Sequence, residues 1–346
     1  MTSRTRYVVI SSALVLFVGL GSGLVAYYSG FQARAFSSAG GPEELQYVPH
    51  DAVVVAYADV RHLMGSQLRQ RIRDANPNAG PLAGGDGQRA FENQTGINIE
   101  TDIDHVVATL VGDPAVGAGP GAGMVLARGT FNEVKIEALM RDHGARVESY
   151  KDKRLIVATP RGDNAVDANP SAAGSPEKEL TLCFLKPGLV AIGTSNLIRR
   201  AIDLENGGDN VASNEELMNL VRALDSGNAW AVGRFDALRA STKLPAGMSQ
   251  LPPITWFSAT ANINDGIDGV LRAEANSDEA AKNFRDVVQG FIALASLQGS
   301  SKPEVKAVVQ SLALSGTGKT VALSFSIPGR IVDALGPTAD RKSAAH

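Results

Sequence analysis

Near its N-terminus the chain carries YVVISSALVLFVGLGSGLVAYY, residues 7–28, without a single charge. As a helix these 22 residues rise about 33 Å, which matches the hydrocarbon core of a bilayer. Arg4, Arg6 and the N-terminal amine precede the stretch, Arg34 alone follows it closely, and Tyr27 and Tyr28 stand at its far end. That asymmetry predicts a single-pass transmembrane helix with residues 1–6 in the cytoplasm. The remainder is then extracytoplasmic, and in a bacterium with two membranes it sits in the periplasm at the inner membrane. A cleaved signal peptide is the alternative, because Ala33-Arg34-Ala35 offers a small-x-small site. Secretory apolar regions run only about 7–15 residues, so the anchor is preferred. No cysteine follows the span to accept a lipid, and Gly19 and Gly23 give the G-x-x-x-G spacing that lets two such helices approach, leaving a homodimer open.

Beyond the span, composition bounds the rest. With 44% hydrophobic and 20% charged residues, the 346-residue chain has enough apolar material for one large domain or two ordinary ones. Removing residues 1–28, which hold two arginines and no acid, leaves 31 basic against 36 acidic residues. Nothing in that balance attracts nucleic acid, and the densest basic cluster, RQRIR at 69–73, lacks interleaved aromatics and reads as the solvated face of a helix. Cys183 is the only cysteine, so an intrachain disulfide is impossible. It sits in the alternating run ELTLCFL and reads as a core residue.

The pattern of apolar residues predicts an α+β fold with largely antiparallel sheets. Residues 29–44 read as a tether, 45–210 and 211–336 as two strand/helix halves, and 337–346 as a flexible tail. AVVVAYAD (52–59) is a strand whose Asp59 caps one helix running to Asn76-Pro77. IDHVVATLVG and GMVLARGTF are strands around the Gly/Pro-rich 113–122, and NEVKIEALMRDHG is a helix closed by Gly144. RLIVATP, ELTLCFL and LVAIGT add strands, the last two joined by Lys186-Pro187-Gly188. A polar excursion covers 161–179, and SNLIRRAIDLEN is a helix. In the second half, Ser213 and Glu216 form a capping box, NAWAVGRFDALRA is strand then helix, and Asn264-Asp265-Gly266 joins a hairpin. SDEAAKNFRDVVQGFIALASLQ is the longest amphipathic helix, followed by PEVKAVVQSL. AVVVAYAD and AWAVGRFD (229–236) are both strands ending in an aspartate, and strand, turn and helix recur in matching order, which predicts an internal repeat.

Several strings imitate catalytic or binding motifs. SGTGKT (315–320) resembles a phosphate-binding loop, which must open a helix so that backbone amides cradle the phosphates. Here VALSFSI follows, alternating at period two, so the segment predicts a hairpin with Gly316 and Gly318 in the turn, Lys319 in solvent and no bound nucleotide. GAGPGA (117–122) matches a dinucleotide fingerprint, but a strand follows where the helix should be. ETDIDH (100–105) places Glu100, Asp102, Asp104 and His105 close together but lacks the glycine and distal glutamate of a calcium loop, and reads as a polar strand entrance. The histidines His50, His62, His105, His143 and His346 show no metal-ligand spacing; His143 suits the C-terminal end of its helix, and Ser195 reads as a helix cap. No catalytic, cofactor-binding or metal-binding residue and no cofactor is therefore assigned.

With GPEELQYVPHDAVVVAYADV, FENQTGINIETDID, NAWAVGRFDALRA and SGTGKTVALSFSIP, the chain resembles, over nearly its whole length, a family of uncharacterised bacterial single-pass membrane proteins. The resemblance implies an anchored two-repeat α+β ectodomain and carries over no site residue. The expectation is a non-enzymatic extracytoplasmic module that binds another envelope protein, itself or a ligand. One alternative is an envelope hydrolase assembled from distant residues such as Asp59, Asp102, Asp104 and His105. The other is a small-molecule sensor or assembly factor whose halves close on a ligand.

Overall fold

The structure is a computed structural model that describes residues 41–75, 86–112, 122–158, 179–205, 207–241, 253–299 and 303–331. The anchor 7–28, most of the tether, the GAGPGA string, nearly all of the excursion and the tail lie outside the described residues. No helix among the described residues is long and apolar enough to cross a membrane.

Among the described residues twelve strands form one sheet in which every pairing is antiparallel, so the body is α+β as expected. In chain order they are β1 (Ala52–Asp59), β2 (Ile103–Val111), β3 (Ala122–Gly129), β4 (Arg146–Tyr150), β5 (Lys153–Ala158), β6 (Leu180–Lys186), β7 (Leu189–Thr194), β8 (Ala229–Arg234), β9 (Ile254–Ile263), β10 (Ile267–Ala275), β11 (Ala313–Ser315) and β12 (Thr320–Ile327). Across the sheet the order is β11-β12-β10-β9-β8-β1-β2-β3-β7-β6-β5-β4. Outward from the β8/β1 pair it reads β1-β2-β3-β7-β6-β5-β4 on one side and β8-β9-β10-β12-β11 on the other. In that pair Val55 faces Val232, flanked by Val54↔Gly233 and Ala56↔Ala231.

The helices are α1 (Val60–Gly65), α2 (Gln67–Ala75), α3 (Asp86–Thr95), α4 (Ile99–Asp102), α5 (Glu133–Asp142), α6 (Ser195–Leu204), α7 (Glu215–Arg222), α8 (Phe235–Ser241), α9 (Asp278–Gly299) and α10 (Pro303–Ser311). Period-two alternation sorts the strand side chains into two layers. On one face Val55, Tyr57, Val107, Leu126 and Trp230 pack with a 3₁₀ turn at Glu43–Tyr47 and with α6 and α7. On the other, Ala58, Val106, Ala127 and Val190 meet α1, α4 and α5, while Ala56, Ala108, Ala231 and Phe257 meet α8. All eight residues of β1 are buried because both of its faces are covered, which explains its unbroken apolar run.

Local signals explain most element ends, with specific departures. Asp59 accepts a hydrogen bond from the amide of His62 at 3.0 Å and starts α1 as expected. The helix that follows is interrupted, however: Ser66 takes extended backbone, and its hydroxyl accepts from the amide of Arg69 at 3.2 Å, starting α2. ETDIDH is not all strand, for Asn98 caps the short α4 before β2 begins. The cap of α7 is Asn214, whose side chain accepts from Leu217 at 3.1 Å, and Ser213 sits in the preceding 3₁₀ turn. Ser195 is already helical, with Thr194 at the cap position, and its hydroxyl bonds that of Thr181. In β8 the strand ends at Arg234, and Asp236 lies within the first turn of α8.

Candidate functional site

The segment ALSGTGKT folds as the expected hairpin: β11 pairs with β12, and Gly316 and Gly318 adopt φ of 102° and 55°. Lys319 is exposed in the turn, and the residues after it form a strand rather than the helix that a phosphate loop opens. Cys183 is fully buried, and burial pushes its thiol up to about 12. His143 closes α5, its ring Nδ1 2.8 Å from the Leu139 carbonyl.

The four residues proposed for a hydrolase do not converge. Asp59 and His105 are opposed across β1 and β2, so strand pairing does bring those two together. Asp104, next along β2, alternates to the other face and pairs with Arg61. Asp102 accepts from the amide of Asn98 and the hydroxyl of Thr101, both at 2.8 Å, which commits it to the α4 turn. Asp59 is committed to capping α1. Among the described residues, no three His, Cys, Asp or Glu side chains stand together as a metal site.

The densest polar cluster gathers instead around Glu44, a residue assigned to the tether from sequence. The 3₁₀ turn folds it onto the sheet, and only 1% of it is exposed. Its Oε1 accepts from Arg128 Nε at 2.8 Å and lies 2.7 Å from Nη2, and His105 Nε2 lies 3.3 Å away. Burial alone would raise the Glu44 pKa, but the contacts with His105 and Arg128 outweigh it and hold the carboxyl at about 2. Arg128 also pairs with Glu43, which receives Lys186 Nζ at 3.0 Å. Tyr57 packs between His105 and Trp230, ring centroids at 5.5 and 5.7 Å, and burial raises its phenol above the usual tyrosine range. Glu44 and Arg128 lie 84 residues apart, so nothing in local sequence pointed to the pair. The pair joins β3 to the 3₁₀ segment Glu43–Tyr47, the first element among the described residues. The cluster clasps that segment to the sheet.

A second buried charge corrects the reading of RQRIR. Arg69 is 2% exposed; it donates to the Met64 carbonyl at 3.1 Å and pairs with Glu100, which also receives Gln88 Nε2 at 3.2 Å. The arginine locks α2 to α4 rather than facing water.

Two shallow cavities lie elsewhere. One of about 630 Å³ is bounded by Asp102 and the first turn of α5. The other, about 430 Å³, lies where β1 begins and β8 ends, between His50, Asp51, Glu216 and Arg234.

A different feature appears on α9. Its first turns are tied to the sheet by Ala280, Ala281 and Phe284, and the apolar core clusters include no described residue of α9 beyond Phe284. From Val287 to Leu297 no residue is buried, although α9 packs along α10. Val287, Phe291, Leu294 and Leu297 are 38, 59, 50 and 75% exposed. At about 100° per residue they share one arc of roughly 120°.

No protein-family model and no curated protein matches the sequence. A solved structure, crystal form I of TP0453, aligns over 85% of this chain and 97% of its own, with a TM-score of 0.44 and 9% identity.

Proposed function

We propose that this chain is a membrane-anchored, extracytoplasmic binding or interaction protein, held by residues 7–28 with its N-terminus in the cytoplasm. The exposed apolar arc of α9 carries the reading. A helix that leaves large apolar side chains in water over three turns marks an interaction surface, because their burial against a partner is favourable. The catalytic alternative draws less support, since Asp102 and Asp104 have structural partners on different elements and Asp59 serves as a cap. The test is a photoreactive amino acid placed at Phe291 of the full chain in its native membranes, with one at exposed Ala212 as control. Adducts at 291 and none at 212 are expected. Equal labelling at the two sites would refute a dedicated surface on α9.

A second reading draws on the 430 Å³ cavity at the β1/β8 seam, a volume within the range of small-ligand sites. A metabolite that raises Tm in the wild type but not in Arg234→Ala would support a sensor; no stabilising metabolite would count against one.

We also infer that residues 45–210 and 211–336 are two related halves. Supporting this, the repeat alignment that places Ala52 on Ala229 also places Val55 on Val232. Those two residues face each other across the seam from which the first five strands on each side run in matching order, β5 and β4 extending one side alone, so the flanking pairs Val54↔Gly233 and Ala56↔Ala231 exchange under a local two-fold axis. The chain cut after residue 206 and co-expressed as two pieces is expected to reassociate through β1 and β8. Pieces that fold but do not associate would contradict it.

A further inference from the structure

We propose that the apolar arc of α9 rests on the lipid surface of the membrane that residues 7–28 enter, so that the body contacts the bilayer at two places. The proposal depends on the anchored reading above.

Three observations select lipid as the occupant. First, residues 287–301, VVQGFIALASLQGSS, run fifteen positions without a charge, and 287–299 of them form the distal half of α9. Val287, Phe291, Leu294 and Leu297 project from this stretch, beyond the last α9 residue held in the sheet core. A charge-free helical tip with outward aromatic and leucine side chains is suited to the acyl boundary of a bilayer.

Second, area argues against a second copy. The exposed fractions of the four side chains leave roughly 400 Å² in water. A contact using that arc on both copies would bury roughly 800 Å², below the ~1,200 Å² at which specific stable interfaces begin. A lipid contact needs no such area, because a chain already tethered presents the helix at high effective concentration.

Third, the reach is sufficient. The chain between the predicted span and the first described residue is 29–40, twelve residues that extend to at most ~40 Å. The clasp holds residue 44 against β2 and β3 on one face of the sheet, and α9 lies on the other. From β2 to β12 the sheet order counts five strand spacings, about 24 Å, and a layer of roughly 10 Å on each face brings the separation to about 31 Å. The bilayer surface therefore lies within the tether's range of the α9 arc.

The experiment uses the wild-type full chain in vesicles of phosphatidylethanolamine and phosphatidylglycerol that contain a photoactivatable phospholipid. After irradiation, lipid adducts are mapped on tryptic peptides. Cleavage after Arg6, Arg34, Arg285 and Lys306 isolates peptide 7–34 and peptide 286–306, since Pro303 protects the bond after Lys302. Adducts on both are expected, with those on 286–306 falling at least about fivefold in the Phe291→Ser/Leu294→Ser variant while 7–34 is unchanged. Adducts on 7–34 alone would overturn the proposal and leave the anchor intact. Adducts on neither peptide would overturn the anchored reading itself. Peptide 286–306 crosslinked to a second copy, without lipid, would overturn the proposal in favour of a copy interface.

Discussion

Replacing Glu44 by glutamine tests the clasp directly. The substitution keeps the shape of the side chain but removes the charge that Arg128 and His105 face in an almost fully buried position. The folded carboxyl stands at about 2 against an ordinary 4.5, a depression of about 2.5 units. At 1.36 kcal/mol per unit this corresponds to about 3 kcal/mol of stability. Because the folded pKa lies below the unfolded one, the contribution is fully present above pH 4.5 and is lost as pH falls toward 2. Linkage gives roughly 1.4 kcal/mol remaining at pH 3. Urea titrations of wild type and Glu44→Gln in detergent, at pH 7 and pH 3, should therefore show a stability difference that shrinks by more than half. The other carboxylates titrate in both proteins and cancel in the difference. A deficit under about 1 kcal/mol at pH 7, or one that stays constant down to pH 3, would refute the assignment of Glu44 as a buried anion whose charge stabilises the fold.

Other expectations concern single positions. Gly188, at φ 73° in the β6/β7 turn, would place a Cβ 2.9 Å from the Gly129 carbonyl oxygen. Gly188→Ala should thus cost at least about 1–2 kcal/mol by denaturant titration, and a change within about 0.5 kcal/mol would show that the turn relaxes freely. Cys183, fully buried with its pKa at about 12, should resist thiol reagents at pH 8 in the folded chain and react on unfolding; labelling of the native protein at the unfolded rate would contradict its place in the core. Lys319→Ala should leave stability within about 0.5 kcal/mol and ATP should not raise Tm in either form, whereas ATP stabilisation that depends on Lys319 would restore the phosphate-loop reading. Arg69→Met should destabilise the chain by about 1 kcal/mol or more, since the partly exposed Glu100 loses its partner and the Met64 carbonyl its donor, while Arg73→Met, at an exposed position of the same helix, should not; equal effects would mean that α2 and α4 are not locked by the ion pair.

Sequence alone determined those features that follow from neighbours along the chain. The buried run of β1, the Asp59 cap, the turns at Lys186-Pro187-Gly188 and Asn264-Asp265-Gly266, and the strand after GTGK each rest on a few adjacent residues. Their backbone preferences and apolar spacing leave one local conformation, and the antiparallel α+β class followed from them. Strand β4 was not legible, because RVESY is polar and is defined by its pairing with β5 across a turn in which Lys151 takes φ 51°. The break at Ser66 was hidden for a related reason: the side chain that starts a new helix there also fits inside one, and docking Arg69 against Glu100 requires α2 to be re-aimed. Likewise Asn214 took the cap that Ser213 could have taken, a choice secured when its amide also donated to the His50 carbonyl, 164 residues away. The clasp at Glu44 and the exposed arc of α9 belong wholly to tertiary structure. A carboxylate becomes a buried anion only when the sheet delivers Arg128 and His105 to it. The apolar side of a helix becomes a surface only when the core, already filled by Ala280, Ala281 and Phe284, leaves the rest of that helix in water.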